Sequence, residues 1–378
     1  VSILGLRPVA ETERQLAPDL ARGIMLLLIA VANSAIYLYD RPYGLRQHVV
    51  EDGLTDRVAG ALALTFVDGR AYPMFAALFG YGMVQIWNRR RDDGEGRRIL
   101  RRRSLWLIAF GAVHALLLFS GDILGTYGLV GLLLALLMRA SDRTLLILAG
   151  GWLVPVAVLS AGAYTMPHAA YERTMFWSLE LSDPLAALAL RPLEWLMTPA
   201  GMTGVLTAAL LGVWAGRRSL LAEPDTLVRR FAVWGPVVGV LGGLPVGLAA
   251  SGFLELDGGL VVTSFVALHT VSGIAAGLGY AALIALIARR IGEHRGAVVT
   301  ALAACGQRSL TCYLLQSVVF VALLPPYTLG LGGHLGGAAT IALATATWVA
   351  TVAAAEVMRR RGMRGPAETL LRRLTYSR

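Results

Sequence analysis

The sequence predicts an all-α, polytopic membrane protein, and three observations predict it. Apolar stretches of about 20 residues, the length of one membrane-crossing helix, recur along the whole chain. Only 15% of the 378 residues are charged, where a soluble domain carries roughly a quarter. The basic residues fall in short clusters between the apolar stretches, as positive-inside topology signals do. Mean hydropathy is +0.63. The 34 basic and 24 acidic residues leave a net charge of +10. This basic excess does not predict nucleic-acid binding, because it sits between spans and not on one face.

The first 17 residues form a short polar arm with Arg7 and Arg14. They lead directly into a full-length span, so no cleavable signal peptide is expected. The first span covers 18–39 and carries Asn33 deep inside. After a polar segment at 40–55, the region 56–87 is too long for one straight span. It is interrupted by Asp68-Gly69-Arg70 and Pro73, breaks tolerated only where protein or a wet cavity surrounds them. The loop from Arg89 to Arg103 is the most basic in the chain and anchors that side in the cytoplasm. A hairpin follows from Arg101 to Arg139, turning at Ser120-Gly121-Asp122.

A fifth span is expected at 145–164, and residues 165–194 read as an outer loop with an interfacial helix. Further spans follow at 195–214, 231–250, 260–287, 297–324 and 338–358. This alternation gives ten spans with both termini cytoplasmic, in a single transmembrane domain over 1–378. The arm is 1–17, the spans occupy 18–358, and the tail at 359–378 is amphipathic and suited to anionic lipid. All the basic residues are arginine. Cys305 and Cys312 lie seven residues apart on one predicted helix, roughly 10 Å along its axis and too far for a disulfide.

Few polar groups lie inside the apolar stretches: Asn33, Asp68, Arg70, His114, His269 and Arg308, with Asp122 at the outer end of its hairpin. A lone charge at the bilayer centre costs about 2.5–3.5 kcal/mol even on a forgiving scale, so such groups mark functional sites or internal pairs. Asp68 could pair with Arg70 or Arg308 across helices. His114 is affordable as a neutral imidazole, and the hairpin permits Asp122 or Tyr127 to fold back towards it, the arrangement a general base needs. A packed histidine bonded to a backbone carbonyl is the plainer alternative. His269, beside Thr270 and Ser272, is a second candidate. The sequence has no phosphate-binding loop, no H-E-x-x-H, no Cys-x-x-Cys and no G-x-S-x-G elbow, so neither a metal nor a nucleotide cofactor is expected.

Five ordered motifs resemble a known family. They are Asp19 to Gly23 before the run with Asn33; Gly69-Arg70 leading to Met74 through Gly82; and His114 with Gly121 to Leu124 and Tyr127. The others are Gly306 with Ser309 to Thr311, Tyr313-Leu314 and Gln316-Ser317, and Gly365-Pro366 through Tyr376. Together they resemble the YeiB-like family of bacterial polytopic membrane proteins, over nearly the whole chain. Gln307 stands where that family tends to have arginine, and Cys312 where asparagine is usual.

That family is similar to the transmembrane acyltransferase superfamily that includes heparan-α-glucosaminide N-acetyltransferase and glycan O-acetylating enzymes. Those enzymes move an acyl group from cytoplasmic acyl-CoA to a sugar across the membrane, using an essential histidine. The resemblance implies a protein of the bacterial cytoplasmic (inner) membrane with acyl-CoA as donor and a glycan or lipid-linked acceptor. His114 and Asp122 are the implied catalytic pair. Asn33, Asp68, Arg70, Tyr127, His269, Arg308, Tyr313 and Gln316 are candidates for substrate contact. Arg22, Arg101, Arg102 and Arg103 are candidates for the CoA phosphates. Membrane lipids are expected partners, nucleic acid is not, and a homo-oligomer is left open. Two other readings stay open: a transporter or flippase for a lipid-linked or anionic molecule, and a non-catalytic membrane scaffold.

Overall fold

The computed structural model describes residues 15–89, 93–165 and 172–376. The arginines of the N-terminal arm lie outside them, as do residues 90–92 of the basic loop and 166–171 of the expected outer loop. Among the described residues the regular structure is helical, apart from one isolated bridge between Tyr43 and Val49.

In chain order the helices are α1 (Leu16–Ala35), α2 (Leu54–Phe66), α3 (Ala71–Asn88), α4 (Asp93–Leu117), α5 (Ile123–Leu137) and α6 (Asp142–Thr165). They continue as α7 (Pro184–Gly201), α8 (Gly204–Arg217), α9 (Thr226–Ala250), α10 (Gly259–Ile291), α11 (Ala297–Gln307), α12 (Ser309–Leu323), α13 (Gly337–Arg360) and α14 (Pro366–Tyr376).

Five of these, α1, α6, α9, α10 and α13, are long and apolar enough to cross a membrane. Two bent pairs, α7–α8 and α11–α12, raise the number to seven. The expectation of ten spans with both ends on one side reaches further than length and apolarity alone carry it. α5 is a shorter apolar helix, and α2, α3 and α4 are not among the helices that qualify.

The solvent of this protein is visible in what it exposes. Val154 and Val158 on α6, Leu241 on α9 and Leu260 on α10 all face outward, while glycines and alanines are buried at helix contacts beside larger side chains such as Met25, Leu78 and Tyr81. Apolar exposure of this kind suits hydrocarbon, where helices associate through close packing rather than by hiding apolar surface. The α3–α8 contact shows the device. A Cβ on Gly80 would stand 2.2 Å from the Ala209 carbonyl oxygen, and one on Gly212 would stand 2.1 Å from that of Ala77. Only glycine on both sides lets these two backbones touch.

Several elements differ from the expected layout. The region 56–87 divides into α2 and α3 at Val67–Arg70, where Gly69 takes a φ of +72°. The basic stretch before Ser104 is not a loop but the opening of α4, since its arginines and Ile99-Leu100 are good helix formers without proline. Where an outer loop with an interfacial helix was expected at 165–194, the helix is α7, which starts at Pro184 under an Asp183 cap and runs on to Gly201. The span expected at 195–214 is bent by 58° between α7 and α8. The span at 297–324 turns by 86° at Arg308. That turn puts the two cysteines on different helices, Cys305 on α11 and Cys312 on α12, and both are buried free thiols, as expected of a pair that forms no disulfide.

The amphipathic tail spends its apolar face on the bundle. α14 buries Leu371 and Thr375 and packs against α4 and α12. Its Glu368 carboxylate accepts from the backbone N–H groups of Leu310 and Thr311, capping the start of α12.

Candidate functional site

α4 ends one turn after His114, where the chain reverses through Ser120-Gly121-Asp122. Asp122 is the N-cap of α5, one carboxylate oxygen accepting from the Gly125 N–H at 2.7 Å. The returning helix can lie this close only because residue 111 is glycine: a Cβ there would stand 2.3 Å from the Asp122 carboxylate. The other carboxylate oxygen of Asp122 is 2.9 Å from His114 Nδ1. His114 Nε2 is in turn 2.9 Å from the Ser317 hydroxyl on α12. All three side chains are buried.

A carboxylate can only accept, so it fixes the imidazole proton on Nδ1 and leaves Nε2 as the acceptor from Ser317 Oγ–H. Trp195 Nε1 adds a longer contact of 3.4 Å to Asp122. The result is an imidazole held in the tautomer and orientation of a general base.

Beside this chain lies a cavity of about 300 Å³. It opens at the end of the bundle where α1 begins, α3 ends and α4 begins, with α14 at its rim. Arg22, Arg89 and Arg103 line that end together with Asp19 and Glu368. Deeper in, the wall is apolar and aromatic: Met25, Leu26, Ile29, Phe75, Leu107, Ile123 and Leu124, with Tyr127 and Tyr313. Tyr313 lines the cavity, and its ring centroid lies 5.0 Å from that of His114. A charged mouth, an apolar barrel and a base behind an aromatic wall suit a long ligand with an anionic head and a reactive or apolar tail.

The structure brings together some of the residues singled out from sequence and separates others. His114, Asp122, Tyr313 and Gln316 gather around the start of α5 and the middle of α12, and Gln316 Nε2 is buried with no hydrogen-bond partner among the described residues. Asn33 accepts from the Tyr72 hydroxyl at 2.6 Å. Tyr127 lines the cavity but does not turn towards the imidazole; its hydroxyl donates to the Tyr72 carbonyl.

The ion pairs expected of Asp68 do not form as expected. Its carboxylate meets Arg46 at 2.8 Å, because Gly69 turns the chain so that Arg70 reaches only the Asp68 carbonyl oxygen. Arg70 is wholly buried and binds His269 and the Gly239 carbonyl, at 2.7 and 2.8 Å. His269 also contacts the Leu64 carbonyl at 3.0 Å. This second histidine and Arg70 thus join α2, α3, α9 and α10, and belong to packing and not to the His114 site. Thr270 and Ser272 bond to carbonyls of their own helix. Arg308 donates to the carbonyls of Met363 and Ala304, and Arg102 to that of Leu374. Arg101 is exposed; of the four arginines expected at the phosphates, Arg22 and Arg103 line the cavity.

Other contributors were not among the candidate site residues, although Ser317 stands in one of the five motifs. Ser317 lies 203 residues from His114, a distance no local spacing bridges. Trp195 comes from a helix expected only in part. Glu194, fully buried, accepts from the hydroxyls of Ser120 and Ser178 beside the Asp122 turn. The one sequence signal for it was an acidic residue next to an expected span.

Comparison with known proteins agrees with the resemblance. Residues 215–378 match a family described as "Protein of unknown function (DUF418)". The chain is 27% identical to "Uncharacterized protein YeiB" of Escherichia coli (strain K12), over 96% of each chain. It is 24% identical to "Uncharacterized protein YxaH" of Bacillus subtilis (strain 168), over 98% of this chain and 96% of the relative. A shorter match, 34% identical over 128 residues, is to "Uncharacterized 39.9 kDa protein in amylase 3'region" of Bacillus acidopullulyticus.

Proposed function

We propose that this chain, similar over nearly its whole length to the YeiB and YxaH proteins, is an acyltransferase of the bacterial cytoplasmic membrane. It takes the acyl group from cytoplasmic acyl-CoA and gives it to a hydroxyl or amine of a glycan or lipid-linked acceptor on the other side. The observation that carries the reading is the Asp122–His114 pair standing behind a cavity with an arginine-lined mouth.

In this reading the arginine-rich end faces the cytoplasm and the chain crosses ten times, α2–α3, α7–α8 and α11–α12 each crossing as a broken unit. The CoA phosphates meet Arg22, Arg89 and Arg103 at the mouth, as guanidinium groups suit. The pantetheine arm follows the apolar barrel and presents the thioester near Tyr313. His114 Nε2 takes the proton of the attacking group, and Asp122 stabilises the imidazolium that forms. Charge developing on the carbonyl oxygen is met by buried donors on α12, of which Gln316 Nε2 and the Tyr313 hydroxyl have no partner among the described residues.

The test is acyl transfer from labelled acyl-CoA to envelope glycans and lipids in membranes holding wild type or His114→Ala at equal abundance. Transfer lost in the variant supports the reading, and transfer retained in full removes it. The broken α11–α12 at the cavity wall also suits a carrier that alternates access. A carrier returns its substrate chemically unchanged, so the same labelled products separate the two.

A further inference from the structure

Ser317 is the member of the buried chain to which the proposed transfer gives no task. Its hydroxyl stands 2.9 Å from His114 Nε2, whose other nitrogen is held by Asp122 at 2.9 Å. Hydroxyl, imidazole and carboxylate in this order are the arrangement of a nucleophile activated by an oriented base. A serine that merely packs inside a helix satisfies itself on the carbonyl one turn back. For Ser317 that carbonyl, of Tyr313, is the longer contact at 3.4 Å.

A second observation points to a missing ligand at the same place. Gln316 Nε2 and the Tyr37 hydroxyl are buried without hydrogen-bond partners among the described residues. Gln316 adjoins Ser317 on α12, and Tyr37 packs edge-on against Phe320, one turn further along. Buried donors rarely stay unpaired, and an acyl carbonyl beside Ser317 would give them an acceptor. The nearest wall of the cavity is Tyr313, one turn before Ser317 on the same helix.

We propose that Ser317 is a nucleophile that carries the acyl group as an ester between donor and acceptor. The proposal rests on the acyl-transfer reading and gives it two half-reactions. In the first, Ser317 Oγ attacks the thioester carbonyl: the Oγ–C bond forms and the C–S bond breaks. The hydroxyl proton passes to His114 Nε2 and then to the departing sulfur, so CoA leaves as the thiol. In the second, the acceptor hydroxyl or amine attacks the ester carbonyl. Its proton passes to Nε2 and then to Ser317 Oγ, which is released. Donor and acceptor then never need to occupy the bundle together, and each is served from its own side in turn.

The experiment mixes purified full-length protein with acetyl-, octanoyl- or palmitoyl-CoA without acceptor, quenches in acid and maps the adduct by peptide mass spectrometry. The expected result is one acyl group per chain on the peptide bearing Ser317, absent from Ser317→Ala and His114→Ala. Ser317→Cys should carry the group as a hydroxylamine-labile thioester. No acyl mass on the wild type with any of the three donors overturns the proposal, as does an adduct that persists in Ser317→Ala. Binding of CoA itself to the same wild-type sample separates the two levels. Saturable CoA binding without an acyl-serine removes the nucleophile alone, and no CoA binding removes the acyl-transfer reading with it.

Discussion

Asp122 serves His114 with one carboxylate oxygen, at 2.9 Å, and the first turn of α5 with the other, at 2.7 Å from the Gly125 N–H. One side chain thus fixes both the hairpin and the imidazole. Asp122→Asn separates the two duties. The amide oxygen can still cap α5, but its NH₂ must then donate to Nδ1, which moves the imidazole proton to Nε2 and removes the base. Acyl transfer should fall about 10³–10⁴-fold, while the melting temperature in detergent stays within a few degrees of wild type. Equal losses of activity and folded protein would show that the pair is structural.

The mouth of the cavity predicts an electrostatic contribution to donor binding. Arg103→Ala removes one guanidinium from the lining. CoA should bind about tenfold more weakly, ~1.4 kcal/mol, with a smaller dependence on salt. Calorimetric titration of both proteins at low and high ionic strength measures it, and dephospho-CoA should lose less than CoA.

Arg70 carries a different prediction, because its guanidinium ties α3 to α9 and α10 through Gly239 and His269. Arg70→Ala leaves those acceptors buried without their donor, at about 3 kcal/mol in all. Folded protein in the membrane should drop, and activity per folded molecule should not. Arg70→Lys should rescue little, since a single ammonium cannot follow a planar fork into three directions.

Close backbone contact makes Gly212 sensitive to one methyl group. Gly212→Ala places a Cβ against the Ala77 carbonyl and should cost about 1–3 kcal/mol through separation of α3 and α8. Gly151 on α6, with open space around its Cβ position, should accept alanine without loss. Thermal melts of the two variants side by side provide the comparison.

Much of this was legible in the sequence, and what was not has physical causes. Apolar runs bounded by arginine place the helices because hydrocarbon demands both. The Ser120-Gly121-Asp122 turn places Asp122 near His114 because a hairpin keeps its partners local. The 86° bend at Arg308 was hidden, since the run from 297 to 324 contains no proline and its polar step at Gln307-Arg308-Ser309 reads equally well as a charge carried within one straight span. That bend turns Tyr313 to the cavity and Ser317 to the histidine. Their meeting is a long-range contact between α4 and α12, which residue spacing does not encode. Asp68 misled for the same reason: its nearest arginine in sequence is Arg70, yet the turn at Gly69 hands its carboxylate to Arg46.

The proposed transfer requires the cavity to receive acyl-CoA and to bring its thioester to His114. A structure of the purified protein with CoA bound decides whether it does. Density is expected with phosphates at Arg22 and Arg103 and the thiol beside Tyr313, within reach of His114. CoA bound elsewhere, or a lipid filling the cavity at saturating CoA, would contradict it.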